Sequence, residues 1–263
     1  MPETISSSSN TLIKQIRALR QRKGRQESGL FVVEGIHHVG EAIEAGWRIE
    51  ALVYAPDQLT SDYGRRLVEE QIQRQGRCVA ITANLFEAIA DKDNPQGILA
   101  VVHQKKVRLE EISSGTIHTG AALVAPQDPG NVGAILRTLD AVGCDGLFLL
   151  EGGVDPFHPA CVRASMGTIF WKTLVRATFE DFVKWARKNG YLLVGSSAHA
   201  ITDYRAFRIS SQPTILVLGS EQKGLSQEQI ALCDESLSLP MSGRVSSLNL
   251  AVAAGILMYK IFE

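Results

Sequence analysis

Apolar and polar residues change their spacing repeatedly along this chain, and each change marks an element. Leu12, Ile13, Ile16 and Leu19 form one apolar stripe, and Asn10 can cap the helix that carries it. From Gly29 onward short apolar runs alternate with amphipathic stretches. Strands are predicted at 30–34, 51–56, 78–82 and 97–104, and helices at 36–46, 61–75 and 84–90. Residues 105–120 are polar, lack an apolar period and read as a linker. Residues 1–9, with serine at 6 through 9, read as a disordered tail.

The alternation then resumes, with strands predicted at 121–126, 146–151, 191–197 and 214–220. Asp128 caps a helix with Pro129 at its first position. Val132, Ile135, Leu136, Leu139 and Val142 are its buried stripe, and Gly143 ends it. A short helix runs through Val162 to Met166, an amphipathic one covers 179–190, and Ser226 with Gln229 forms a capping box. After the short apolar run Leu237 to Leu239, residues 249–262 are apolar on every face, so a helix there is buried on more than one side. It is far shorter than the roughly 20 residues of a membrane span. The pattern predicts an α/β protein. Residues 10–104 form a small α/β domain, 105–120 a linker, and 121–263 a mainly parallel sheet with helices on both faces.

Composition narrows the function only slightly. The 263 residues carry a formal net charge of −1, so any nucleic-acid affinity has to come from a local patch. One such patch is visible. Lys14, Arg17, Arg20, Arg22, Lys23 and Arg25 follow one another with no acidic residue between them, and the run continues past the first helix into a glycine-containing loop. A solvated helix face and a set of phosphate contacts both account for it. Cys78, Cys144, Cys161 and Cys233 are scattered, with no C-x-x-C pair and no His at ligand spacing, which predicts reduced thiols and no metal. His37 and His38 are adjacent, face different ways on a helix, and read as surface or cap residues. The N-terminus lacks the apolar core of a secretory signal, so a cytoplasmic protein or one of an organelle matrix is expected, with no membrane segment.

Open parallel sheets bind ligands beyond the carboxyl ends of their strands. Three such ends carry polar, glycine-bearing loops, at 127–133, 219–226 and 240–249. Neither G-x-G-x-x-G nor the P-loop pattern occurs. Helical side chains lean toward the helix N-terminus, so Arg137 leans over position 133, which is glycine. Its guanidinium can then reach the helix start near Asn131, where free backbone N–H groups would add to a site for a phosphate or a developing oxyanion. A salt bridge from Arg137 to Glu221 or Asp140 is the structural alternative. Glu221, just beyond a buried strand, needs a partner. Ser246 or Ser247 is a good cap for the last helix, whereas Asn249 in its first turn is less easily explained.

Four ordered motifs now coincide: N-x-G-x-x-x-R at Asn131, Gly133 and Arg137; R-A-S-M-G at 163–167; L-G-S-E-x-x-G-L at 218–225; and L-P-M-x-G-x-V-x-S-L-N at 239–249. Together they resemble the SpoU (TrmH-type) branch of the SPOUT RNA methyltransferases, over roughly residues 117–263. The N-terminal unit, with its basic helix and FVVEG at 31–35, is similar to the L30e-like substrate-binding domain often attached to that branch. The resemblance implies a deep trefoil knot in the C-terminal domain and S-adenosylmethionine bound there in a bent form. It also implies methyl transfer to a ribose 2′-hydroxyl of RNA, with rRNA favoured over tRNA, and a homodimer formed through the C-terminal domain. Residue by residue, it implies cofactor contacts at Leu218, Gly219, Leu239, Pro240, Met241 and Leu248. Arg137 would act at the hydroxyl, with Asn131, Glu221, Ser247 and Asn249 around it, and Glu34 would join the basic residues in holding RNA. Ser246 stands where an acidic or other polar residue is common, and Leu239 replaces a frequent Ile. A tRNA methyltransferase, or an RNA-binding assembly factor without catalysis, are the alternatives.

Overall fold

The computed structural model describes residues 4–91, 94–113, 115–209 and 211–262. In chain order its first elements are α1 (Thr11–Ala18), α2 (Arg22–Ser28), β1 (Leu30–Glu34), α3 (Ile36–Glu44) and β2 (Ile49–Tyr54). Next come α4 (Asp62–Gln73), β3 (Cys78–Ala80), α5 (Ala83–Ile89), β4 (Ile98–His103), β5 (Thr119–Val124) and α6 (Pro129–Ala141). β6 (Gly146–Leu150), α7 (Pro159–Ala164), β7 (Thr173–Ala177), α8 (Phe179–Lys188) and β8 (Leu192–Ser196) follow. The chain ends with β9 (Thr202–Asp203), β10 (Thr214–Leu218), α9 (Gln227–Ala231), β11 (Glu235–Ser238) and α10 (Leu250–Phe262). These elements divide into two compact units. One holds the chain up to Lys105 together with Phe157–Phe170, and the other holds Lys106–Pro156 and the chain from Trp171.

Unit one is built on a four-stranded sheet in the order β1-β4-β2-β3, with β4 antiparallel to both neighbours and β3 parallel to β2. Strand side chains alternate between faces, and the two faces have different covers. Leu30, Ala51, Val53, Leu99 and Val101 pack with the apolar stripes of α1 and α5. Phe31 instead meets Phe157 at 4.6 Å between ring centroids, while Trp47 meets Phe170 at 5.3 Å. The Trp47 indole N–H also donates to the Phe170 carbonyl at 2.8 Å. Segment 157–170 therefore leaves the expected 121–263 domain and completes the core of unit one. Its partners lie more than a hundred residues upstream, a relation that no local period can reveal. The same segment accounts for the two histidines. Ring nitrogens of His37 and His38 lie 3.1 and 3.3 Å from the carbonyls of Met166 and Arg163, and His38 is buried, unlike the surface residue expected.

The expected tail and linker are also ordered where they are described. Ile5 donates to the Ala80 carbonyl at 2.9 Å and accepts from Thr82 at 3.1 Å, so it sits against the edge strand β3. Residues 1–3 of that tail lie outside the described residues. Leu109, Ile112 and Ile117 of the expected linker are buried in the core of unit two, and the Trp185 indole N–H donates to Ile112 O at 3.2 Å. A lone Ile5 and three unevenly spaced apolar residues carry no detectable period.

Unit two has a seven-stranded sheet in the order β7-β6-β5-β10-β8-β11-β9, in which every pairing is parallel. Ala122, Val124, Phe148, Leu150, Ile215 and Val217 pack with Phe179, Phe182, Val183 and Ala186 of α8. On α6, the Asp128 carboxylate caps the start, accepting from Gly130 and Asn131 N–H, and Gly143 at φ 71° follows its end. α10 packs along α6 and against β10, which accounts for much of its apolar surface. The edge strand β7 was not predicted: of its five residues only Val175 is fully buried, too little to form a pattern. All four cysteines are free, with Cys144 and Cys161 buried.

Candidate active site

Strand order decides which loops meet. β5, β10, β8 and β11 are neighbours and run the same way, so the loops after them share one edge of the unit-two sheet. These are the three loops singled out in the sequence, joined by a fourth. Ser196 stands beside Leu237, and Gly195 beside Val217, which puts the turn after β8 between Gly219 and Leu239. Ser197 belongs to this edge and was missed. The signal was present, because β8 ends in Gly-Ser-Ser much as β10 ends in Gly-Ser-Glu.

The α6 start is occupied differently from expectation. Its N–H groups are not open to a ligand. Asp128 accepts from Gly130 and Asn131 at 2.6 and 3.3 Å, while Glu221 accepts from the N–H groups of Gln127 and Asp128 at 3.0 and 3.2 Å. The Asn131 side chain donates to Glu221 at 3.1 Å and accepts from the Asn249 amide at 3.0 Å. Asn249 in turn caps α10, accepting from Ala251 and Val252 N–H at 2.9 and 3.3 Å. The cap is therefore Asn249, and Ser246 and Ser247 remain exposed in the loop. One polar chain, Glu221–Asn131–Asn249, ties the loop after β10 to the starts of α6 and α10. Burial raises the Glu221 pKa, but the hydrogen bonds from Asn131 and the backbone outweigh it, and the carboxyl is held below its ordinary value. Glu221 is thus a weak proton acceptor and an anchor.

Arg137 is exposed, and among the described residues it makes no hydrogen bond or ion pair. The two carboxylates that could have held it have other partners: Glu221 binds Asn131, and Asp140 pairs with Lys172 at 2.9 Å. That disposes of the structural alternative. A cation with five donors stands one turn from the buried Gly133, with no partner among the described residues.

The residues expected at the cofactor occupy the same edge. Leu218 is buried at the end of β10. Gly219 is pressed so tightly against the next turn that a Cβ there would lie 1.9 Å from the carbonyl carbon of Gly224. The Gly224 N–H donates back to Ser220 at 2.9 Å, closing the turn. Leu239 is half-buried, while Pro240, Met241 and Leu248 are exposed on the loop before α10. One sheet edge therefore carries the tight backbone turn at Gly219 and three exposed apolar side chains, a set that would suit a cradle for an adenine held by main-chain groups and apolar contact.

Unit one sorts the expected RNA contacts into two groups. Lys14, Arg17, Arg22 and Lys23 are exposed. Arg25 is 1% exposed, and its guanidinium donates to the carbonyls of Leu19 and Arg20 at 2.8 and 2.9 Å, satisfying groups at the end of α1. Arg20 is half-buried and reaches the carbonyls of Ile89 and Ala90. Glu34 is buried and accepts from the Asp91 N–H at 2.7 Å, pinning the same turn. These three are structural, and the basic run enters a second helix, α2, in place of the expected loop. R-A-S-M-G at 163–167 lies in the segment that packs within unit one.

Two family models match this chain. Residues 119–259 match the SpoU rRNA Methylase family, and residues 10–100 match the MRM3-like substrate binding domain. Among curated proteins, a 23S rRNA (uridine(2479)-2'-O)-methyltransferase of Streptomyces viridochromogenes is 33% identical, over 97% of this chain and 90% of that protein. The 23S rRNA (guanosine(2553)-2'-O)-methyltransferase RlmP of Bacillus subtilis is 31% identical over 98% of both chains. The AdoMet-bound rRNA methyltransferase from Sinorhizobium meliloti superimposes with a TM-score of 0.89 at 35% identity, covering 98% of this chain and 96% of that one. The chain belongs to the SpoU family of RNA methyltransferases, with a substrate-binding domain ahead of the methyltransferase domain.

Proposed function

We propose that this protein transfers a methyl group from S-adenosylmethionine to a ribose 2′-hydroxyl of large-subunit (23S-type) rRNA. The observation that carries this reading is Arg137, an exposed cation with no partner among the described residues, at the sheet edge where the Glu221–Asn131–Asn249 chain ties the loop after β10 to the starts of α6 and α10. The cofactor, held by the backbone around Leu218 and Gly219, by Leu239 to Met241 and by Leu248, supplies a methyl on a sulfonium that is already strongly electrophilic. The Arg137 guanidinium, a fork of five donors, steadies the negative charge that grows on the attacking oxygen, and the hydroxyl proton passes to water. Asn131 and Asn249 set the start of the Arg137 helix against the cofactor loops, and positioning for in-line attack supplies much of the rate. Ser247, exposed on the last loop, is within the set expected around the hydroxyl. The knot implied by the motifs belongs to this reading, as does a cytoplasmic location. Mapping 2′-O-methyl groups in rRNA from cells with and without the gene tests it. Loss of a ribose methyl in 23S-type rRNA is expected, and loss confined to tRNA or to a base methyl would overturn it.

The exposed cations of α1 and α2 support RNA binding by unit one. Replacing Lys14, Arg17 and Lys23 by Glu is expected to weaken rRNA binding and to flatten its salt dependence. The log–log slope should fall by about 0.7 to 0.9 for each phosphate that is no longer neutralised. An unchanged slope would leave these residues as a solvated face.

A homodimer through the C-terminal domain completes the reading. Val252, Ile256 and Tyr259 repeat at helical spacing on α10, and they are 52%, 36% and 48% exposed. Three large apolar side chains on one stripe of a helix that buries Leu250, Ala254, Leu257, Met258 and Ile261 in its own unit suit a second copy of the same chain. Sedimentation equilibrium is expected to return twice the 28.6 kDa chain mass, and a monomer at micromolar concentration would refute the dimer.

A further inference from the structure

RNA arrives with one charge per nucleotide, and the sheet edge has to match the phosphates on either side of the target ribose. A helix start would ordinarily do this. Here that route is closed, because the carboxylates of Asp128 and Glu221 take up the N–H groups of Gln127, Asp128, Gly130 and Asn131. Two negative groups at the α6 start repel a phosphate. Cationic side chains on the loops remain, and apart from Arg137 the four loops of this edge carry only Lys223 and Arg244.

Both are exposed, and among the described residues neither makes an ion pair. Among the other cations of unit two, Lys172 pairs with Asp140, Arg176 with Asp155, Lys184 with Glu180 and Arg205 with Asp203, while Arg187, Lys188, Arg208 and Lys260 lie outside these four loops. Lys223 also has a fixed root. It stands two residues from Glu221, in the turn closed by Gly224 N–H to Ser220 O, and its own N–H points at the Ser220 hydroxyl at 3.4 Å. Arg244 lies between Met241 and Asn249, on a loop tied to β11 at one end and to Asn131 through Asn249 at the other. The two cations thus stand on the two loops that carry the expected cofactor residues Gly219, Leu239 to Met241 and Leu248.

We infer that Lys223 and Arg244 hold the phosphates flanking the target ribose, so that unit two selects a stretch of RNA chain and not an isolated nucleoside. The inference rests on the proposed RNA methyl transfer. They are positioning residues: Lys223 gives a point charge, and Arg244 can grip two phosphate oxygens at once.

The test measures binding of an unmodified 23S-type transcript to the full chain with S-adenosylhomocysteine, across a range of salt. For the double variant Lys223→Gln, Arg244→Gln, affinity at low salt is expected to fall about tenfold or more. The log–log slope should drop by about 1.4, that is two single-strand phosphates at about 0.7 each. Affinity for S-adenosylhomocysteine should stay unchanged, as should kcat at saturating RNA. An unchanged slope would overturn the inference. So would a fall in kcat with KM preserved. The charge-keeping pair Lys223→Arg, Arg244→Lys guards against a collapsed loop: it should keep the wild-type slope, and losing that slope would also overturn the proposal. Methyl incorporation by the wild type is read separately. Its absence would refute the methyl-transfer reading, while the slope still decides the phosphate contacts.

Discussion

Arg137→Ala is expected to lower methyl transfer to rRNA by about three orders of magnitude, the upper end for removing one donor from a developing oxyanion. The side chain is exposed and makes no hydrogen bond or ion pair among the described residues, so its loss should leave stability within about 0.5 kcal/mol. Affinity for S-adenosylhomocysteine should also hold, since no cofactor residue depends on Arg137. The separation between these readouts is what makes the experiment decisive. Arg137→Lys keeps the charge but loses the planar fork, and should recover only part of the rate. Single-turnover methylation with saturating RNA, alongside isothermal titration of the product cofactor, measures both. Near-normal turnover in Arg137→Ala would remove this residue from the reaction.

Gly219→Ala should act on the other half of the site. The added Cβ would sit 1.9 Å from Gly224 C, 2.2 Å from Leu225 N and 2.3 Å from Gly224 O, all of them backbone atoms that cannot swing aside. The turn would have to open, at a cost of about 1–3 kcal/mol as for other overpacked sites. Cofactor affinity is expected to fall by about a hundredfold, which corresponds to a similar energy. Gly243→Ala is the control, because nothing lies within 4 Å of a Cβ at that position. Titration and urea unfolding should separate the two variants clearly. Equal behaviour would mean that the close approach of residues 219 and 224 does not shape the cradle.

Much of unit two was legible because its physics is local. β5, β6, β8 and β10 are buried on both faces and read as continuous apolar runs, and the caps at Asp128 and Ser226 lie within three residues of the groups they bind. Arg137 was singled out on equally local grounds, from the expected lean of one helical turn toward glycine. Other features depended on distant partners. That Arg25 turns inward follows from the carbonyls left open at the end of α1, and the basic run looks the same whether a cation faces water or the core. Whether the α6 start was open to a ligand depended on Glu221, ninety residues away in sequence. Asn249 was singled out as an anomaly within a helix, and the anomaly disappears once it is the cap.

The path of the chain also bears on how this protein is made. Phe157–Phe170 completes the core of unit one, so the chain passes from one unit to the other three times. During synthesis the first hundred residues emerge with Phe31 and Trp47 on an unfilled sheet face, and their covering rings follow more than fifty residues later. At ribosomal rates of about 5–20 residues per second, that face stays open for several seconds. A fragment ending at Lys105 would keep that exposed aromatic face permanently. The N-terminal unit is therefore best expressed as part of the whole chain, and its early exposure gives a nascent-chain chaperone a defined place and interval in which to act.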